Sequence, residues 1–117
     1  MIMEEVQQFI EALEGKTSLY PLYAKKSLTI EFVVQQNRIW MVISNKRHEI
    51  LKEEPSAKAS IVVTAQNEAS LEKILRGEQP LLQLCSEGVV QVEGAFNDQL
   101  TLESILILGS SHSYLVV

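Results

Sequence analysis

Few residues of this chain have types and spacings that could do chemistry. Ser110-Ser111-His112-Ser113 sets hydroxyls beside an imidazole, the raw material of a nucleophile and its base. Such a pair also needs a third group to orient the base, and adjacent residues in a loop rarely supply it. His48 lies among Lys46, Arg47 and Glu49, which reads as a solvated strand position. Glu4/Glu5 and Glu53/Glu54 are neighbours in sequence, so each pair splays apart and suits a solvated face better than paired acid–base work. The single cysteine, Cys85, excludes an intrachain disulfide and a multi-cysteine metal site, and its apolar setting LLQLCSEG reads as packing. No Gly-x-Ser-x-Gly elbow, His-Glu-x-x-His, phosphate-cradling loop or dinucleotide fingerprint is present. No catalytic residue, metal ligand or cofactor is therefore expected, and the protein is read as a non-enzyme.

Chemistry of that kind being absent, the elements carry the argument. At 117 residues the chain is expected to form one domain, with 46% apolar and 21% charged residues as in a soluble globular protein. Fifteen acidic against ten basic side chains give a net charge of −5, which opposes a sequence-independent grip on nucleic acid. The basic pairs Lys25-Lys26 and Lys46-Arg47 are too small to reverse that field. No apolar run reaches the ~20 residues needed to span a bilayer. The acidic start MIMEEVQQFIEALEG lacks the order of an export signal, so a cytoplasmic location without stable membrane insertion is expected.

Residues 3–14 place Val6, Phe9, Ile10 and Leu13 on one helical face, stopped at Gly15. Lys16 to Lys26 reads as a connector. From Ser27 the period becomes two: Leu28, Ile30, Phe32 and Val34 face a core. Gln35-Gln36-Asn37 turns the chain into RIWMVIS (38–44), apolar on both faces, with Ile39, Met41 and Ile43 against Trp40 and Val42. After a turn at Asn45 to Arg47, HEILKEE (48–54) is a charged edge strand, and ASIVVTA (59–65) is a fourth strand.

Asn67 or Ser70 then caps a helix bearing Leu71, Ile74 and Leu75 that ends at Gly77, and Pro80 opens LLQLCSE. GVVQVEG (88–94) is a fifth strand, with Val90 and Val92 toward the helices and Gln91 and Glu93 away. A two-helix crossover predicts it parallel to strand 59–65 if the two are neighbours. A last helix from about Asn97 carries Leu102, Ile105 and Leu106 on one side. The order predicts an α+β fold, a sheet with its helices on one face.

The segment from Ala59 through Leu108, with Gly77, Gly88 and Gly94 at their spacing, resembles the sterol carrier protein type 2 family (the SCP-like lipid-binding domain). Upstream, RIWMVIS matches that family's Trp-bearing strand at Trp40, and the resemblance covers roughly residues 27–108. It implies a five-stranded sheet with helices on one face and an apolar cavity between the layers that takes a fatty acid, acyl chain or sterol-like lipid without catalysis. The cavity wall it implies is Phe32, Trp40, Val63, Leu75, Leu82, Val90, Leu102 and Leu106. Two departures stand out. Val89 and Gln91 occupy the places of two lysines common in the family's fifth strand, and the chain ends in Leu115-Val116-Val117 instead of the peroxisomal Ser-Lys-Leu.

The residues alone leave an alternative open, a ligand-free interaction or dimerisation module with a filled core. The two-sided strand 38–44 and the apolar tail Tyr114-Leu115-Val116-Val117 lean toward a homodimer, the tail covering the cavity mouth or crossing to a second subunit.

Overall fold

The computed structural model describes residues 2–15, 21, 27–44, 48–56 and 58–109. The connector at 16–26 other than Pro21, the turn at 45–47, the tail at 110–117 and His112 within it lie outside the described residues.

The chain runs α1 (Ile2–Glu14), β1 (Leu28–Val34), β2 (Asn37–Ile43), β3 (His48–Leu51), β4 (Ile61–Ala65), α2 (Glu68–Leu75), α3 (Leu81–Ser86), β5 (Val90–Gly94) and α4 (Phe96–Gly109). The five strands form one mixed sheet in the order β3-β2-β1-β4-β5. Alternation along β1 sends Leu28, Ile30, Phe32 and Val34 into the core. Its antiparallel register with β2 sets Ile30 against Met41 and Phe32 against Ile39 on the same side. The helices gather on that face, where Val6, Phe9, Ile10 and Leu13 of α1 join Leu71, Ile74 and Leu75 of α2 and Leu102, Ile105 and Leu106 of α4 in one buried cluster. This is the α+β arrangement expected of the element order.

Local signals act where the sequence puts them. Asn67 caps α2, its side-chain oxygen accepting from the Ser70 amide at 2.9 Å. Gly77 (φ +72°) and Gly88 (φ +78°) take the left-handed geometry that ends a helical turn without Cβ strain. The acidic start of α1 is also tied down in space: Arg76, just past α2, donates to both Glu5 carboxylate oxygens at 2.9 and 3.3 Å. That hydrogen bond and the charge of Glu5 hold the Arg76 pKa above its ordinary value.

One expectation is overturned. β5 runs antiparallel to β4, with Ala65 opposite Val90 and Ile61 opposite Gly94. The parallel pair is β1–β4, with Ile30 opposite Ile61. The physical reason lies in the link between β4 and β5: α2 and α3 form a returning pair. They bring the chain back to the end of the sheet where β4 stopped, and the Val89 amide bonds to the Leu84 carbonyl as β5 begins. Two short helices thus act as an elaborate hairpin loop, and the chain never crosses to the far end of the sheet. The expected facing within β5 is present: Val90 is buried, Val92 packs against the core, and Gln91 and Glu93 are exposed.

Gly94 ends β5 at a close approach. A Cβ there would lie 2.5 Å from the Ser60 carbonyl oxygen, at φ +139°. Among the described residues no helix is long and apolar enough to cross a membrane.

Candidate functional site

The layer between sheet and helices receives six of the eight expected wall residues. Phe32 of β1 and Val63 of β4 are side by side across the parallel seam. Val90 of β5 and Leu75 of α2 join them, and Leu102 and Leu106, one turn apart on α4, close the layer from above. Each is at most 3% exposed.

Trp40 and Leu82 are placed differently. Trp40 lies between Ile39 and Met41 on β2, so its side chain takes the opposite face of the sheet, in register with Glu31 and Leu51. It is 6% exposed yet stands apart from the sheet–helix cluster, and the Glu31–Arg38 ion pair (3.4 Å) shares its face. On a strand apolar on both sides, alternation alone does not say which side meets the helices. Leu82 is half-buried, while Leu81 and Leu84 turn into the core. A six-residue helix carrying three leucines and a cysteine offers several equivalent apolar stripes, and tertiary contact selects one. Here the selecting contact is Glu103 of α4, whose carboxylate accepts the Leu82 amide at 2.9 Å and fixes the start of α3.

A groove of about 590 Å³ opens between α1 and the edge strand β3. Its strand side is made by His48, Ile50 and Lys52, alternate residues that share one face; the register of Ile50 with Met41 and His48 with Ile43 makes this the helix side of the sheet. Its helix side is Met3, Gln7, Ile10, Glu11 and Glu14, a stripe adjoining the buried face of α1. Ile10 belongs to the core, and Met3 and Ile50 pack against it, so the floor of the groove is continuous with the sheet–helix layer. Gln7, Glu11, Glu14 and Lys52 are exposed at its rim, with His48 half-buried beside them. An apolar floor under a mixed polar rim suits a molecule with an apolar body and a polar end.

None of the eight expected residues lines this groove. The signal that would have found it is the His48–Ile50–Lys52 alternation set beside the Met3–Gln7–Ile10–Glu14 stripe, two patterns far apart in the chain. A smaller hollow of about 170 Å³ lies at the other side of the sheet, lined by Thr64, Ala65, Gln66, Gly88, Val89 and Gln91. Among the described residues no group of three or more His, Cys, Asp or Glu converges as a metal site would require.

No family model matches the sequence. A search of curated proteins also gives no match. Solved structures do match. The sterol carrier protein domain 2 of Helicoverpa armigera aligns over 98% of this chain and 92% of its own, with TM-score 0.70 and 12% identity. A ubiquinone synthesis protein, UbiJ-SCP2, aligns over 81% of this chain and 76% of its own, with TM-score 0.62 and 18% identity. Sterol carrier protein 2-like 2 of Aedes aegypti aligns over 89% of this chain and 98% of its own, with TM-score 0.57 and 11% identity. Sequence identity is low throughout, and what the similarity establishes is architecture: a five-stranded mixed sheet with helices on one face, the fold of the sterol carrier protein 2 domains.

Proposed function

We propose that this protein binds or carries a small apolar ligand, a fatty acid, acyl chain or sterol-like lipid, without catalysing its conversion. The observation that carries this reading is the α1–β3 groove, whose floor of Met3, Ile10 and Ile50 runs into the apolar layer of a sterol carrier fold. A chain-like ligand entering there would keep its polar end at the rim of Gln7, Glu11, Glu14, His48 and Lys52. Its apolar end would displace side-chain contacts that Ile10 and Met3 of α1 make with Ile50 and the core beneath it. The names of the neighbouring structures, sterol carrier proteins among them, support the same class of ligand.

The test is a titration with the fluorescent fatty acid cis-parinaric acid, with calorimetry of an unlabelled fatty acid alongside. Saturable binding is expected, weakened about tenfold by Ile50→Lys, which puts a charge on the apolar floor. Absence of saturable binding by both methods overturns the reading.

A second reading, a ligand-free interaction or dimerisation module with a filled core, is favoured by the tight burial of Phe32, Val63, Leu75, Val90, Leu102 and Leu106. It predicts that fatty acid leaves the thermal midpoint unchanged, whereas a ligand bound to the folded state raises it with concentration.

A further inference from the structure

The net charge of −5 is not spread over the chain. Residues 1–76 hold all ten Lys and Arg and ten of the acids, and so are balanced. Residues 77–117 hold Glu78, Glu87, Glu93, Asp98 and Glu103 and no Lys or Arg at all. The fold packs α3 and part of α4 beside β5, the outer strand of the sheet, while the end of α4 at Gly109 reaches Leu13 and Phe9 of α1.

Among the described residues β5 has one strand partner, β4, which leaves its outer edge without a ladder. Protected edges carry proline, lysine, a bulge or a covering element. β5, VQVEG, has no proline or lysine, and its single charge is negative. Beside it Phe96 and Leu100, one turn apart on α4, are 64% and 40% exposed, the large apolar side chains most open to solvent among the described residues. Val92 adds to this apolar strip: it points toward the helices yet stays half-buried, with no described strand beyond it at the edge. Glu87 and Glu93, both exposed, stand near the two ends of the strand.

We propose that the β5 edge with Phe96 and Leu100 is a docking surface for an extended segment of another protein in which apolar residues alternate with Lys or Arg. Such a segment adds as a sixth strand. Its apolar side chains fall on the helix side of the sheet, against Val92, Phe96 and Leu100. Its basic side chains fall on the open side, beside Gln91 and Glu93. Charge favours this occupant over a second copy of the chain: two such faces together would oppose Glu87 and Glu93 with no Lys or Arg from α3, β5 or α4 to offset them, a like-charge juxtaposition that disfavours association. The surface lies at the opposite edge of the sheet from the α1–β3 groove and is independent of what that groove holds.

The test selects short random peptides displayed on phage against the whole protein, with counter-selection on the Phe96→Ser, Leu100→Ser double variant. Both positions are exposed, so the variant is expected to keep the wild-type denaturation midpoint. Enriched peptides should alternate apolar and basic residues, bind the variant about tenfold more weakly, and lose binding when alternate backbone amides are N-methylated. Their amide-shift changes should centre on residues 90–100, and Glu93→Lys should weaken them by charge alone. Peptides without basic residues, equal binding to the double variant, shifts at β3, or no enrichment each overturn the proposal. Sedimentation showing a wild-type dimer that the double variant abolishes overturns it in favour of a second copy.

Discussion

The two edges of the sheet present opposite solutions to one problem. At β3 the exposed edge is flanked by α1, and the groove between them mixes Glu11 and Glu14 with His48 and Lys52 over an apolar floor. At β5 the edge has no second strand partner among the described residues, Glu87 and Glu93 stand near its ends, and Phe96 and Leu100 are exposed beside it. Apolar surface at β3 is recessed and sized for a small molecule; at β5 it is presented and sized for a polypeptide. The same fold thus offers a concave and a strand-like surface at its two ends, and composition averaged over the chain hides both.

The largest effect expected from breaking this comparison is at Gly94, which fixes the end of β5 against β4. Gly94→Ala drives a Cβ to within 2.5 Å of the Ser60 carbonyl at φ +139°. We expect it to cost about 2–4 kcal/mol, read from the denaturant midpoint. Gly88→Ala has open space around the new Cβ at φ +78° and should cost only about 1 kcal/mol. Equal costs would mean that the β4–β5 approach is looser than the structure has it.

Val92→Ala comes next, at about 1 kcal/mol, since the side chain is packed on the core side and open at the edge, so truncation leaves no closed void. Glu93→Ala is the smallest, within about 0.5 kcal/mol, as befits an exposed side chain whose proposed role lies in docking. A larger cost for Glu93→Ala than for Val92→Ala, by the same denaturation curves, would invert the facing of β5 and remove the apolar strip from the docking surface.

Much of this architecture was legible in the sequence because it follows from local periodicity. The Val6–Phe9–Ile10–Leu13 stripe, the alternation from Leu28 to Val34, the Asn67 cap and the facing of Val90 and Gln91 each depend on residues within a turn or two of one another. What escaped depends on pairs far apart. The direction of β5 is set by how α2 and α3 fold back, which no residue within β5 encodes. Trp40 and Leu82 sit on elements apolar on more than one side, where alternation has no preferred answer. The α1–β3 groove requires Ile10 and Ile50 to meet across the whole length of the first hairpin. The charge imbalance was present in the sequence all along, but it acquires meaning only when α3 and part of α4 are seen to pack beside β5.

The parallel β1–β4 seam has a consequence for how the molecule assembles. Strands β1, β2 and β3 form a meander of local turns, while β4, α2, α3 and β5 form a second run of neighbours. The seam joins them through residues such as Thr29 and Ser60, 31 positions apart. Closing a loop of that length costs about 3 kcal/mol in chain entropy before any contact offsets it. Loop entropy therefore favours pairing within each run before the seam closes, with the seam and the Glu5–Arg76 pair among the contacts that join the two runs. In a chain cut at 52–56, the cost of uniting the two runs would depend on concentration instead of on tether length.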